Sequence, residues 1–197
     1  MEPMGKVIYS LSVSLDGYIE SPDGGIDWTS PDDELHAFFN DETRAMRTLL
    51  HGRRTYELMA SYWPTADQDP SAPATHVDFA RIWRETPKVV FSRTLESVAW
   101  NSRLVRGGVA EEVSRLKGQP GNDMMVGGAD LAATLIRLDL VDECRQFVRP
   151  IVLGGGKPYF PRLDSPLDLR LVETRRFGGG VVYLRYERAA TSPPAAG

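Results

Sequence analysis

From Lys6 to Leu15 the chain alternates, with Val7, Tyr9, Leu11, Val13 and Leu15 on one face and Ile8, Ser10, Ser12 and Ser14 on the other. A period of two over that length predicts a strand. Asp16-Gly17 turns the chain, Tyr18-Ile19 extends it briefly, and Pro22-Asp23-Gly24-Gly25 makes a second loop. Ser30-Pro31-Asp32-Asp33 then has the composition of a helix start: Ser30 to cap, Pro31 in the first turn, and two acids at the positive end. Leu35, Phe38, Phe39 and Thr43 carry its apolar face to about Arg44. Met46 to Leu50 reads as a short strand, and Gly52-Arg53-Arg54-Thr55-Tyr56-Glu57 opens a helix to about Ser61. Residues 62–75, with three prolines and few apolar side chains, read as a loop. A loop this long in a compact domain is often functional or mobile. A helix over His76–Glu85, with Phe79, Ile82 and Trp83 inward, precedes a buried strand over Pro87–Phe91 that Ser92-Arg93-Thr94 closes. Arg103–Val105 is a short strand, and Val109–Leu116 a helix with Glu111 and Glu112 in its first turns.

The most informative stretch is Asp123 to Phe160. Met124-Met125-Val126 reads as a buried strand, Gly127-Gly128 follows at once, and Leu131, Leu135 and Leu138 recur at helical spacing around Ala132 and Ala133. A second strand, Gln146 to Leu153, runs into Gly154-Gly155-Gly156. In such a strand–turn–helix–strand unit a glycine turn lets backbone approach a ligand, and the helix start offers free N–H groups to an anion. Strands over Leu167–Phe177 and Gly180–Glu187 are joined as a hairpin through glycines 178–180, and the tail from Ala189 is expected to be disordered. Alternating strands and helices with a closing hairpin predict an α/β fold with a mixed sheet, in one domain over residues 1–188.

Composition narrows the partners. A net charge of −4 and a pI near 5.4 give no global attraction to nucleic acid or to an anionic membrane, so any anion site is a local cluster. No run approaches the roughly 18 apolar residues of a membrane span. The start MEPMGKVIYS lacks the basic and long apolar regions of a signal peptide, so a cytoplasmic enzyme or binding protein is expected. The single cysteine, Cys144, excludes an intramolecular disulfide and a cysteine-cluster metal site, and reads as a buried thiol. His36, His51 and His76 are dispersed along the chain, so no metal set is expected and solvated or core roles fit them.

Three turns at strand ends carry candidate chemistry: Gly52-Arg53-Arg54-Thr55, Ser92-Arg93, and Gly127-Gly128-Ala129-Asp130. In an open α/β sheet ligands collect beyond the carboxyl ends of strands. Arginines, hydroxyls and helix-start N–H groups are what a pyrophosphate and a 2′-phosphate need. Each turn alone is equally a surface turn or a point of tight packing, and the G-x-G-x-x-G fingerprint is absent. Four tryptophans, Trp28, Trp63, Trp83 and Trp100, could line a planar pocket. Trp83 reads as a core anchor, and Trp63, beside Pro64, as a mobile pocket wall.

The segment ending in SLDGYI, the block GRRTYE, the strand KVVFSR and above all VGGADLAATLIRLDLVDECRQFVRPIVLGGGKPYF resemble the dihydrofolate reductase-like superfamily. Within it, the chain is most similar to stand-alone relatives of the C-terminal reductase domain of the riboflavin-biosynthesis deaminase/reductase. The resemblance spans roughly residues 5 to 188. It implies a three-layer fold with a central, mostly parallel sheet, NADPH as cofactor, a small heterocyclic substrate and a homodimer. By position it implies that Val13 backs the nicotinamide, that Gly52, Arg53 and Thr55 hold adenosine phosphates, and that Ser92 and Arg93 lie near the 2′-phosphate. Gly127, Gly128, Ala129, Asp130 and Leu131 match the pyrophosphate turn, and Trp28 an active-site tryptophan. Asp33 matches the substrate-binding carboxylate of dihydrofolate reductases, which can assist protonation at nitrogen when hydride reaches a C=N bond. Asp32 and Asp33 serve equally well as helix-start acids, and Asp16 as a turn former. Gly127 stands where the riboflavin group usually has a glutamate and Ser10 where a lysine is frequent, which argues against that group's pyrimidine as substrate. The rest of a classical folate pocket is absent too. The expected activity is an NADPH-dependent reductase acting on a pterin-like or pyrimidine-type heterocycle, with a non-catalytic NADPH- or nucleotide-binding protein as the alternative.

Overall fold

The computed structural model describes residues 4–189. Its strands and helices follow in chain order. First come β1 (Val7–Ser14), β2 (Tyr18–Glu20), α1 (Asp33–Arg44), β3 (Thr48–Gly52), α2 (Arg53–Tyr62), α3 (Ala74–Glu85), β4 (Lys88–Phe91) and β5 (Ser102–Val105). After these come α4 (Val109–Lys117), β6 (Met124–Val126), α5 (Ala129–Arg137), β7 (Glu143–Arg149), β8 (Lys157–Pro158), β9 (Leu169–Arg176) and β10 (Val182–Arg188). Eight strands form one sheet in the order β5-β4-β3-β6-β1-β7-β10-β9. The pairings from β5 to β7 are parallel, and β10 runs antiparallel to both β7 and β9. β2 and β8 form a separate antiparallel pair.

Both faces of the sheet are covered, because the central strands are apolar on both sides: Val7, Ile8 and Tyr9 are each at most 1% exposed. On one face Val7, Tyr9, Leu50, Val89 and Val126 pack with Val113 and Leu116 of α4 and Leu131 and Leu135 of α5. On the other, Ile8, Leu49 and Val90 pack with Tyr56 of α2 and Phe79 and Trp83 of α3, while Leu35 of α1 joins Phe147, Phe177 and Tyr183. The result is the expected three-layer α/β arrangement. The single cysteine is buried in the first of these cores, and burial pushes its thiol up to about 12.

Several local expectations are corrected. Ser30 does not cap α1: its hydroxyl closes the turn onto the Asp27 carbonyl, and Asp32 caps instead, accepting from the Leu35 amide at 2.9 Å. Residues 62–75 are not an open loop. A 3₁₀ segment, Trp63–Gln68, follows α2, and α3 starts two residues earlier than the pattern suggests. Arg84 pins the segment, reaching Asp67 through both terminal nitrogens (2.8 and 2.6 Å) and the Pro64 carbonyl at 2.8 Å. Trp63 opens that 3₁₀ segment, and its ring meets Phe79 edge-on at 4.4 Å. β7 begins three residues before the apolar pattern does, because Glu143 and Arg145 enter it as an ion pair that Glu42 and Arg185 extend. Pro150 cannot donate to a ladder and marks its end. Leu15 leaves the core and is 67% exposed, since β1 stops at Ser14 before the Asp16-Gly17 turn. The expected disordered tail lies outside the described residues, apart from Ala189.

Candidate active site

The chain lays down β1, steps outward through β3, β4 and β5, and returns to place β6 between β3 and β1. Adjacent strands β3 and β6 thus feed helices on opposite faces, α2 and α5, and the crevice between those helix starts is where open α/β sheets collect ligands. Gly52 and Gly128 are the N-cap residues of the two helices, and neither helix has a side chain capping its amides. The two starts touch. A Cβ on Gly128 would stand 2.4 Å from Thr55 Oγ1, so glycine is what lets the turns close to this distance. A Cβ on Gly127 would meet nothing within 4 Å, which leaves open space at the end of β6. Ala129 and Leu131 are buried below the turn, whereas Asp130 is exposed.

The end of β4 lies beside the end of β3, with Gly52 opposite Phe91 in the ladder. Arg53 donates to Thr94 Oγ1 at 2.8 Å and to Glu57 at 3.0 Å, which joins the first turn of α2 to the Ser92-Arg93-Thr94 turn. Ser92 Oγ accepts from the Thr94 and Leu95 amides, and the Arg93 carbonyl accepts from Arg106 at 3.4 Å. The expected phosphate-binding residues from three separate stretches therefore converge at one end of the sheet.

At the other side of β6, Val13 is buried in β1 and paired with Val148 of β7. Two residues organise the surroundings: Arg149, which the sequence did not single out, and Asp16, expected as a turn former. Arg149, at the end of β7, lies 3.4 Å from Ser12 Oγ and donates to the Thr29 and Ser30 carbonyls, so it ties the Trp28 turn to the sheet. Burial pushes its pKa below the usual arginine value, with nearby Asp32 opposing that. Asp16 accepts from Ser14 Oγ and from the Leu153 and Gly154 amides. The Ser14 hydroxyl and these amides hold its carboxyl below the usual carboxylate range. It thereby fixes the glycine run 154–156 against the end of β1.

Trp28 lies in the 3₁₀ turn Asp27–Thr29, and its indole N–H donates to the Gly25 carbonyl at 3.3 Å. Asp33 is the first residue of α1 and is exposed. One turn on, His36 is buried, and His76 of α3 stands against it with ring centroids 4.8 Å apart. These histidines, dispersed in sequence, meet in space, and His76 Nδ1 also contacts the Tyr62 hydroxyl at 2.8 Å. Burial, then the neighbouring His76, lowers the His36 pKa, while Asp33 opposes the shift. Among the described residues no group of three or more His, Cys, Asp or Glu side chains is placed to hold a metal, and no helix is long and apolar enough to cross a membrane.

A cavity of about 390 Å³ opens at the opposite end of the sheet, lined by Thr48, Lys88, Trp100, Asn101, Arg103 and Arg115. It lies where β3 to β5 begin, away from the starts of α2 and α5.

Comparison with known proteins gives the family. Residues 5–183 match the family described as the RibD C-terminal domain. The chain belongs to that family. It is 37% identical over 182 residues to the uncharacterized protein YyaP of Bacillus subtilis (strain 168), covering 92% of this chain and 94% of YyaP. It is 30% identical over 187 residues to the uncharacterized protein YwjB of the same organism, covering 93% and 98%. Among solved structures, a putative riboflavin biosynthesis protein from Shewanella sp. PV-4 superposes with a TM-score of 0.73 at 24% identity, covering 95% of this chain and all of that one. Dihydrofolate reductase from Enterococcus faecalis, complexed with NADP(H) and RAB-propyl, gives 0.65 at 18% identity, covering 96% and 100%. The Thermotoga maritima diaminohydroxyphosphoribosylaminopyrimidine deaminase/5-amino-6-(5-phosphoribosylamino)uracil reductase gives 0.65 at 15%, covering 94% of this chain and 57% of that one. This RibD C-terminal domain therefore has a dihydrofolate reductase-like fold, the type on which reductases are built.

Proposed function

We propose that the protein is an NADPH-dependent reductase acting on a pterin-like or pyrimidine-type heterocycle. The observation that carries the reading is the pair of uncapped helix starts, α2 and α5, brought together through Gly128 and Thr55 where adjacent strands end. A dinucleotide's pyrophosphate fits that cradle, because its N–H groups lack partners from their own side chains and the glycine admits close approach. Arg53, Ser92 and Arg93 lie at the neighbouring strand end and suit the 2′-phosphate, since arginine recognises phosphate through a planar fork. NADPH, when bound, supplies the hydride.

The chain's own residues supply orientation and a proton. Val13 and the end of β1 form the floor beneath the ring, and Trp28, anchored through Arg149, forms a wall. Asp33 holds a proton at the substrate nitrogen that becomes basic as hydride arrives. A fluorescence titration tests the cofactor: NADPH binds well below millimolar concentration and more tightly than NADH. No NADPH binding at millimolar concentration would overturn the reading. Asp33→Asn is expected to leave NADPH affinity unchanged and to lower turnover of a reducible heterocycle by about 10²-fold or more.

A non-catalytic NADPH-binding protein is the second reading, favoured by the exposure of Asp33. It keeps NADPH binding and gives no turnover across a panel of pterins, pyrimidines and related carbonyl compounds. For the assembly we propose a homodimer: β9 is an edge strand, and Leu171, Val172 and Val182 on β9 and β10 expose apolar surface that a second copy would cover.

A further inference from the structure

The first turn of α2 has the wrong charge for a helix start. It carries Arg53 and Arg54 and no acid, although the positive end of the helix dipole favours anions. Arg54 turns away from the Ser92 side and donates to Glu20 Oε2 of β2 at 3.0 Å. Glu20 is the cross-strand partner of Lys157 on β8, and its other oxygen lies 3.9 Å from the Lys157 ammonium. Lys157 in turn donates to Asp130 Oδ2, in the first turn of α5, at 2.9 Å. A bridge of four charges, Arg54–Glu20–Lys157–Asp130, thus spans the two helix starts, with the β2–β8 pair as its roof.

That roof is firmly rooted. Tyr9 and Tyr159 stack at 4.2 Å, and each hydroxyl donates to the other's carbonyl, at 3.0 and 2.9 Å. At Gly156, with φ +125°, a Cβ would stand 1.9 Å from the Glu20 carbonyl oxygen, so the two strands meet without room for a side chain. Lys157 is the residue immediately beyond this contact, and its backbone is held in place.

We propose that Arg54 and Lys157 are a cationic clamp for the cofactor's pyrophosphate, held ready by Glu20 and Asp130 until the dianion takes their place. This rests on the cofactor reading above and adds to it two side chains and a competitor. Asp130 plays opposite parts through its two ends: its backbone belongs to the anion-binding turn, while its carboxylate competes with the phosphate for Lys157. A purely structural ion pair has no such competition.

Calorimetric titration of wild type and variants with NADPH, ADP and adenosine 2′-monophosphate separates these cases. Arg54→Ala and Lys157→Ala are each expected to weaken NADPH and ADP about tenfold, the scale of one charge-assisted contact. Adenosine 2′-monophosphate, which has no pyrophosphate, is expected to change less than about twofold. Asp130→Asn is expected to tighten NADPH and ADP by a few fold. Lys157→Met, which keeps the apolar stem, guards against collapse of the β2–β8 roof, and thermal melting confirms that each variant is folded. Unchanged NADPH affinity in both cation variants, or equal losses for ADP and adenosine 2′-monophosphate, would overturn the clamp and leave the cofactor reading intact. Wild-type protein that binds neither NADPH nor ADP would overturn the cofactor reading itself, and the clamp with it.

Discussion

A methyl group on Gly128 would press on Thr55 Oγ1, so the α2–α5 junction is set by the absence of one carbon. Gly128→Ala is expected to cost about 1–3 kcal/mol through overpacking and to weaken NADPH binding by spreading the two helix starts. Adding Thr55→Ala should restore much of the stability in urea unfolding. If the double variant is no more stable than Gly128→Ala alone, the crowding argument fails. At this scale the sequence was partly legible. Glycines 127 and 128 after an apolar run announced a turn that a ligand could approach, yet the two read alike. Only the fold shows that one faces open space and the other faces Thr55.

The elements were legible where one physical signal dominated. β1, α4 and α5 follow their apolar periods, and the terminal hairpin follows its glycine turn. The expectations that failed did so where a long-range contact outweighed local pattern. Arg84 reaches back across α3 to Asp67 and Pro64 and converts a proline-rich loop into an ordered turn. Paired charges let Glu143 and Arg145 enter β7 although their side chains spoil its apolar pattern. Arg149 and Lys157 were passed over because a lone cation in a strand has no distinctive spacing, and their roles depend on partners far away in sequence. The outer strands carry a prediction of their own. An edge strand with Leu171 and Val172 exposed, beside Val182 of β10, is unfavourable in water unless covered. Analytical ultracentrifugation should find a dimer, and Leu171→Asp with Val182→Asp should give a folded monomer. A wild-type monomer at micromolar concentration would remove the proposed pairing.

Across the whole molecule, burial of histidine couples stability to pH. His51 is fully buried, and burial, then Lys88, holds its pKa at about 3 against an ordinary 6.5. His36 is shifted in the same direction by burial and by His76. Below 6.5 the unfolded chain takes up protons that the native protein refuses, so stability rises with pH up to that value and falls as the solution is acidified. His51 alone contributes a slope that approaches about 1.4 kcal/mol per pH unit as the pH falls below 6.5 while its folded form stays neutral. Urea unfolding between pH 7 and 5 should show this loss, and His51→Phe should flatten it. An equal slope in that variant would show that other groups dominate.

The sequence by itself determined the α/β class, the three phosphate-suited turns and the family kinship, because these depend on local period, on glycine at strand ends and on a continuous motif from Val126 to Phe160. It could not place those turns relative to one another, nor give the cations their partners. β6 had to insert between β3 and β1 before α2 and α5 could start side by side on opposite faces. Glu20 and Asp130 had to meet Lys157 across the β2–β8 roof before a charge after three glycines acquired a task. Chain topology decided both, since proximity between residues a hundred positions apart is a property of strand order and not of local pattern.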